Sequence, residues 1–291
     1  MVSRSSRKLV IATGLCALYA MPAMAADLVF TAPPRGAEEN ESDVYQPIAE
    51  YLSAAIGKKI VYEHSDNWLT YQYKMQKGSY DLVFDGPHFL SWRMIKLNHE
   101  PLVKFPGKLA FVVIARKDND RINEVKDLAG RTVCGMAPPN LATLTMYSLF
   151  ENPARQPLIV EVQTFKQAYQ DVLAKKCVAA ALRDAAFNKL DKDKNAAKVL
   201  FHSKGVPNQA FSAGPRFTAE DKAKMVKALL APEAKVKLAK FLEQFNMKDK
   251  ELLAASRAEF EGIAVLLKDT YGFDVTQTSA IETKVVTKTD K

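Results

Sequence analysis

The stretch Lys77-Gly78-Ser79-Tyr80-Asp81-Leu82-Val83-Phe84-Asp85-Gly86-Pro87-His88-Phe89 decides the fold. It reads as a helix end, a glycine stop, a short buried strand and a sharp turn into a second helix. Gly78 can take the left-handed conformation that closes a helix. Tyr80 to Phe84 is a short apolar run suited to a parallel strand covered on both faces. Asp85-Gly86-Pro87 then sits at the strand's carboxyl end, where open α/β sheets bind their ligands. Pro87 suits a first helical position.

The same alternation runs outward in both directions. Leu28 to Thr31 reads as a strand, followed by the loop Pro33-Pro34-Arg35-Gly36. Asp43 to Ile56 is helical, with Val44, Ile48, Tyr51, Leu52 and Ile56 near helical spacing and Gly57 as its stop. Lys59 to Glu63 is a strand, Asn67 to Gln76 a helix, and His88 to Leu97 another helix. This β-α-β-α-β-α order predicts a parallel sheet with right-handed crossovers. Leu109 to Ala115 is an apolar strand ahead of the charged stretch Arg116 to Arg121, which reads as a boundary. The theme then repeats: strand Thr132 to Gly135, helix around Ala142 to Phe150, strand Leu158 to Val162, helix Lys166 to Lys175, strand Cys177 to Leu182. Val199 to Phe201 and Val206 to Ala213 return the chain to the first unit. Thr218-Ala219-Glu220-Asp221 resembles a capping box before a helix over Lys222 to Leu230. Pro232 to Phe245 and Lys248 to Tyr271 read as further amphipathic helices. Two β/α units joined by two crossing strands make a clamshell that takes a ligand in its cleft and closes over it.

Residues 1–25 have the organisation of a cleaved export signal. Arg4, Arg7 and Lys8 form a positive start, Leu9 to Ala20 an apolar stretch, and Ala23-Met24-Ala25 a small-x-small cleavage pattern. The apolar run, interrupted by Gly14, is short for a membrane span. Cys16 raises the alternative of a lipoprotein signal, but Leu15 before it is bulky for that pattern. The chain carries 41 basic and 33 acidic residues, and it stays net positive once the signal is removed. Such a surface attracts anions, although solubility alone is the plainer reading. The basic residues are scattered, without an arginine-rich run or a basic-aromatic stripe, which argues against nucleic acid. Two cysteines remain after cleavage, Cys134 and Cys177, and an even count in an oxidising compartment favours a disulfide. A 2-1-3 strand order makes their strands neighbours. Against this, Cys134 lies late in its strand and Cys177 early in its own.

The chain resembles periplasmic solute-binding proteins of ABC importers, in the phosphate, phosphite and phosphonate-binding branch of the two-lobed transferrin-like type. The resemblance is carried by Tyr45-x-Pro47 with Ala49-x-Tyr51-Leu52, and by Gly78-x-Tyr80-Asp81 through Gly86-Pro87. It continues in Phe111-Val112-Val113-Ile114-Ala115-Arg116-Lys117, Asp127-Leu128-Ala129-Gly130-Arg131-Thr132-Val133 and Val206-Pro207-Asn208. It implies a periplasmic α/β clamshell, each lobe a mostly parallel sheet flanked by helices, with two crossing hinge strands. The expected parts are the signal (1–25), a first lobe (26–114 with 207–274), a second lobe (115–206) and a polar tail (275–291). The implied role is capture of a small anion for a membrane permease, by a monomer without a cofactor. A sensor feeding a membrane kinase or chemoreceptor is the alternative, since either would dock on the lobe tips. The branch typically carries a Ser-Thr-Ser-Gly loop that holds phosphoryl oxygens. Here Pro138-Pro139-Asn140-Leu141-Ala142-Thr143 stands in its place, and Thr164-Phe165-Lys166 stands where Gly-Ser-His is usual. The prolines have no N–H and the hydroxyl cluster is gone, so an oxyanion stays open while the case for phosphonate weakens.

The candidate ligand-binding residues are Arg35, Asp66, Trp68, Asp85, Pro87, His88, Asn140, Thr143, Arg183 and Asp184. Asp85 or His88 can hydrogen-bond a ligand, or Asp85 can cap the helix that begins at Pro87. Asp66 or Asn67 can be an N-cap, and Trp68 can stack on a ligand or pack beneath its helix. Arg183 offers a guanidinium for bidentate oxyanion binding, with Arg35 a weaker equivalent. The resemblance implies an acidic residue facing the cleft at Asp184. His64, Asp66, Asp85 and His88 fall near adjacent strand ends and form the rival, a metal site, but without His-x-His or His-x-x-x-His spacing. There is no Gly-x-Ser-x-Gly, His-Glu-x-x-His or P-loop, so enzyme chemistry has no motif behind it.

Overall fold

The structure, a computed structural model, describes residues 26–270 and 272–273. The export-signal segment and the polar tail from residue 275 therefore lie outside the described residues. The chain runs β1 (Leu28–Thr31), α1 (Glu38–Ile56), β2 (Ile60–Tyr62), α2 (Trp68–Gln76), β3 (Leu82–Asp85), α3 (Pro87–Lys96) and β4 (Glu100–Lys104). It continues through β5 (Lys108–Leu109), β6 (Phe111–Arg116), β7 (Thr132–Gly135), α4 (Leu141–Tyr147), β8 (Leu158–Glu161) and α5 (Phe165–Leu173). Then come β9 (Ala179–Arg183), α6 (Asp184–Asp191), β10 (Ala197–His202), β11 (Val206–Pro207), β12 (Ala210–Ala213) and α7 (Ala219–Leu230). The last elements are α8 (Ala234–Lys237), α9 (Ala239–Gln244), β13 (Leu253–Ala254), α10 (Arg257–Phe260) and a 3-10 turn at Ile263–Leu267.

Two sheets form two lobes. The first has the order β13-β4-β12-β3-β1-β2 and the second β10-β6-β9-β7-β8. In each, the β-α-β units make the parallel part: β1 pairs parallel with β2 and β3, and β7 with β8 and β9. The strands that arrive without a crossover helix run antiparallel: β12 beside β3, and β6 beside β9. The sheets are thus mixed rather than mostly parallel. Between the lobes, β5 and β11 pair antiparallel through Val206–Leu109 and Pro207–Lys108. The expected lobe boundary at 114/115 falls inside β6, which belongs to the second sheet, so the crossing lies earlier, at β5. The expected helix over Lys248 to Tyr271 is corrected too. Leu253 and Ala254 form an edge strand on β4, and a capping box at Ser256 and Glu259 starts only the short α10.

Each lobe has its own core. On α1, Tyr45, Ile48, Ala49, Leu52 and Ile56 are buried at helical spacing and pack with Phe30, Phe84 and Phe211 of the sheet. Phe84 sits at the centre, its ring 4.8 Å from Phe211 and 4.7 Å from Phe241. Burying each such side chain contributes about 1.5–3 kcal/mol. Gly57, at φ 70°, ends α1 by donating its N–H to the Ser53 carbonyl. In the second lobe, Cys134 and Cys177 form a disulfide with Cα atoms 5.6 Å apart. Cys177 lies in the turn before β9 rather than within the strand, and both residues join the cluster with Val162, Tyr169 and Val172. The stagger that a strand position would impose therefore does not arise. A further cluster bridges the lobes, where Leu144 of α4 packs with Phe89 and Trp92 of α3 and with Ala264 and Leu267 of the C-terminal turn.

Candidate functional site

A cavity of about 650 Å³ opens between the sheets. The carboxyl ends of β1 and β3 feed it from the first lobe, and those of β7, β8 and β9 from the second. From the first lobe come the loop 33–36, residues 66–68 and the start of α3 at Gly86, Pro87, His88 and Phe89. From the second come Met136, Pro139, Asn140, Leu141, Gln163, Phe165 and Arg183, with Leu109 and Phe111 beside the crossing strands.

Two arginines bring the positive charge. Arg35 is steadied by its own lobe: Nη1 donates to the Pro33 carbonyl at 3.0 Å and to the Tyr45 hydroxyl at 3.3 Å, and Nη2 donates to Gln209 Oε1 at 3.2 Å. Its guanidinium also lies 5.2 Å from the Phe245 ring centroid. Arg183 ends β9 on the opposite wall. Its Nε is shut away from solvent and has no hydrogen-bond partner among the described residues. Such a buried donor favours a partner that arrives with a lone pair. At the start of α3, Gly86 gives no side-chain cap and Pro87 occupies the first turn. The helix thus opens on the cavity with backbone donors and the positive end of its dipole. A Cβ on Gly86 would lie 2.7 Å from His88 Cε1, so a larger residue here would displace that ring.

His88 links the two walls, its ring Nε2 3.2 Å from the Pro139 carbonyl. Burial lowers its pKa to about 4, against the pull of that carbonyl, so the ring is neutral at physiological pH. Nε2–H then donates, and Nδ1, which is buried and lacks a partner among the described residues, is left as an acceptor. Trp68, 40 % exposed, stands in the cavity wall with its ring 6.2 Å from Phe89 and edge-on to Tyr71. Its helix is capped by Asn67, whose side chain accepts from Thr70 N, which leaves Asp66 on the cavity wall.

Three of the sequence candidates lie elsewhere. Asp85 is fully buried beneath the cavity, where Oδ2 accepts from the Tyr71 hydroxyl at 2.7 Å and from Arg93 Nε at 3.2 Å. Burial raises its pKa even against the Arg93 guanidinium. Asp85 neither lines the cavity nor caps α3; through Oδ2 it ties β3 to α2 and α3, while its Oδ1 is buried without a partner among the described residues. Thr143 is buried and turns its hydroxyl to the Met136 carbonyl. Asp184, the first residue of α6, accepts from Ala185 N and stands 3.7 Å from His202 Nε2, outside the cavity lining. Asn140 lines the cavity, but its Oδ1 is already used by Ala142 N. Of the rival metal set, His64 turns to the buried Glu41 at 3.9 Å and Asp85 to Arg93. Among the described residues no group of three or more His, Cys, Asp or Glu is placed to hold a metal. Met136, Gln163 and Phe165 join the site without standing out in the sequence. Phe165 lies in the segment that departs from Gly-Ser-His, and its place after β8 is the available signal.

The profile of the family described as ABC transporter, phosphonate, periplasmic substrate-binding protein matches residues 30–260. No curated protein matches the sequence significantly. Among solved structures, PhnD1 from Prochlorococcus marinus in complex with methylphosphonate superposes with a TM-score of 0.59 at 13% identity, over 83% of this chain and 97% of its own. XAC2383 from Xanthomonas citri bound to ATP gives 0.63 at 12% identity, over 84% and 98%. The binding protein component of an ABC phosphonate transporter, PA3383 from Pseudomonas aeruginosa, gives 0.54 at 15% identity, over 80% and 82%. These neighbours share the two-lobed fold, and no helix among the described residues is long and apolar enough to cross a membrane. With the matched profile spanning most of the chain, the conclusion is one of membership: this chain belongs to the family of periplasmic substrate-binding proteins of phosphonate ABC transporters.

Proposed function

We propose that this protein, as a monomer exported by its N-terminal signal, captures an oxyanion between its lobes and presents it to the permease. The observation that carries this reading is the convergence of Arg35, Arg183 and the uncapped start of α3 on one cavity. Arg183 supplies a charge-assisted hydrogen bond from the second lobe. The amides at the start of α3 and the Arg35 guanidinium supply the first lobe's share. The neutral His88 accepts a proton-bearing oxygen at Nδ1, so a monoprotonated oxyanion fits better than a fully ionised one. Because the donors come from both lobes, the anion favours the closed arrangement over any open one. The role is binding and release; none of the cavity residues is assigned a chemical step. Methylphosphonate in the Prochlorococcus marinus structure is consistent with a ligand of this kind.

The test is a thermal-shift screen of purified protein with phosphate, phosphite, methylphosphonate, phenylphosphonate, sulfonates and carboxylates. A ligand present at about 100 times its Kd stabilises by about 2.7 kcal/mol, a rise in Tm that is readily seen. A screen in which only uncharged compounds raise Tm would refute the oxyanion reading and leave the clamshell intact.

A further inference from the structure

The cavity is larger and more apolar than a bare tetrahedral anion needs. A volume of about 650 Å³ lies within the range that encloses organic molecules of some size. The polar groups that would cradle phosphoryl oxygens on the second lobe are engaged with their own backbone. Asn140 Oδ1 caps Ala142 N, the Thr143 hydroxyl serves the Met136 carbonyl, and Thr164 Oγ1 caps Gln167 N. The two prolines of that loop bring no N–H. What remains on this lobe is one cationic group, Arg183, and the amide of Gln163, in a wall that includes Met136, Leu141 and Phe165.

Facing it across the cavity, Trp68 supplies aromatic surface from the first lobe, with the buried Phe89 behind it. Trp68 contacts Tyr71 edge-on at 87° and is tilted 30° to Phe89. These contacts fix the plane of the indole and still leave it 40 % exposed. An indole held rigidly in a cleft wall, and otherwise wet, is a surface for stacking a flat apolar group. Both arginines and this aromatic wall line the same cavity, so one ligand can engage them together.

We infer that the ligand is an organic oxyanion carrying a flat, aromatic-sized substituent, with Trp68 as the residue that selects for it. This rests on the reading of the cleft as an oxyanion site. The anionic end lies between Arg183 and the start of α3, and the substituent lies against Trp68.

Calorimetric titration of the full chain with phosphate, methylphosphonate, phenylphosphonate and benzylphosphonate tests it. Phenylphosphonate is expected to bind at least about tenfold more tightly than methylphosphonate, in line with the gain of an aromatic contact. Trp68→Ala is expected to shrink that ratio to about threefold or less, and Trp68→Phe to restore most of it. Equal or weaker binding of phenylphosphonate, or a ratio unmoved by Trp68→Ala, overturns the inference while leaving the oxyanion reading in place. If none of the four anions binds, the oxyanion reading falls and takes this inference with it. Should Trp68→Ala fail to fold, the same ratio measured in Trp68→Leu, which keeps an apolar side chain without the ring, decides between these outcomes.

Discussion

Replacing Arg183 by alanine separates a ligand contact from a structural one, because the two readings predict stability effects of different size. In the free protein Arg183 Nε is buried without a partner among the described residues. An unmet buried donor costs about 1–3 kcal/mol relative to one that is paired. Its removal leaves no orphaned acceptor behind. The loss of packing from its aliphatic stem is partly offset by that relief, so stability should change by less than about 1 kcal/mol. Binding should respond differently. A hydrogen bond to a charged group contributes about 1.5–3 kcal/mol, which corresponds to a Kd weakened roughly 10- to 150-fold. Arg183→Lys keeps the charge but loses the planar fork and should fall between wild type and alanine. The assay pairs calorimetry on phenylphosphonate with urea denaturation of the unliganded protein. A Kd within about twofold of wild type would remove Arg183 from the site. A fall in stability beyond about 2 kcal/mol would make it a framework residue instead.

The disulfide should contribute about 4 kcal/mol, since it closes a separation of 43 residues; the Cys134→Ala, Cys177→Ala double variant should show this loss in denaturant midpoints, and a midpoint unaffected by the substitution contradicts it. Acid should destabilise the protein through His88. The unfolded chain protonates this ring near pH 6.5 while the folded one holds it neutral down to about 4. As pH falls between these values the unfolded state takes up more protons, so about 3 kcal/mol is lost across that window. His88→Gln should make the pH profile of the denaturant midpoint less steep, the buried His99, lowered to about 3, carrying the remainder, and an unchanged slope tells against the assignment. Gly86→Ala would set a Cβ 2.7 Å from His88 Cε1; displacing that ring should weaken anion binding about tenfold or more, and calorimetry showing wild-type affinity would refute the role given to this turn.

Much of the fold was legible because strand and helix periodicities leave separate marks. Tyr80 to Phe84 and Thr132 to Gly135 could be placed as strands, with the turns after them facing a cleft. The lobe boundary was not legible in the same way. Leu109 to Ala115 is continuously apolar, and nothing in that run shows that pairing passes from β11 to the second sheet at Ala110. The site divides along similar lines. Arg35, Trp68, His88 and Arg183 follow strand ends, so position alone brought them to the cavity. Asp85 follows one too, but its partner Arg93 lies two turns along α3 and its other partner, Tyr71, lies on α2. Only the packed structure shows that both converge on one carboxylate. Thr143 and Asp184 were drawn away by local backbone partners, a competition that residue type alone does not resolve.

The C-terminal turn at Ile263–Leu267 lies against α3 and also touches α4, with Leu266 packed on the second lobe's core. Gln156 of the second lobe reaches Asp269 just beyond it, at 3.5 Å. The crossing strands are therefore not the sole connection that resists opening. Parting the lobes must also peel this segment from one of them, so it acts as a preload on the hinge. A stronger contact here would raise the fraction of molecules shut before any ligand arrives, and the apparent affinity would rise with that fraction. Residues that never meet the ligand can thus tune how tightly it is held and how readily it is surrendered to the permease.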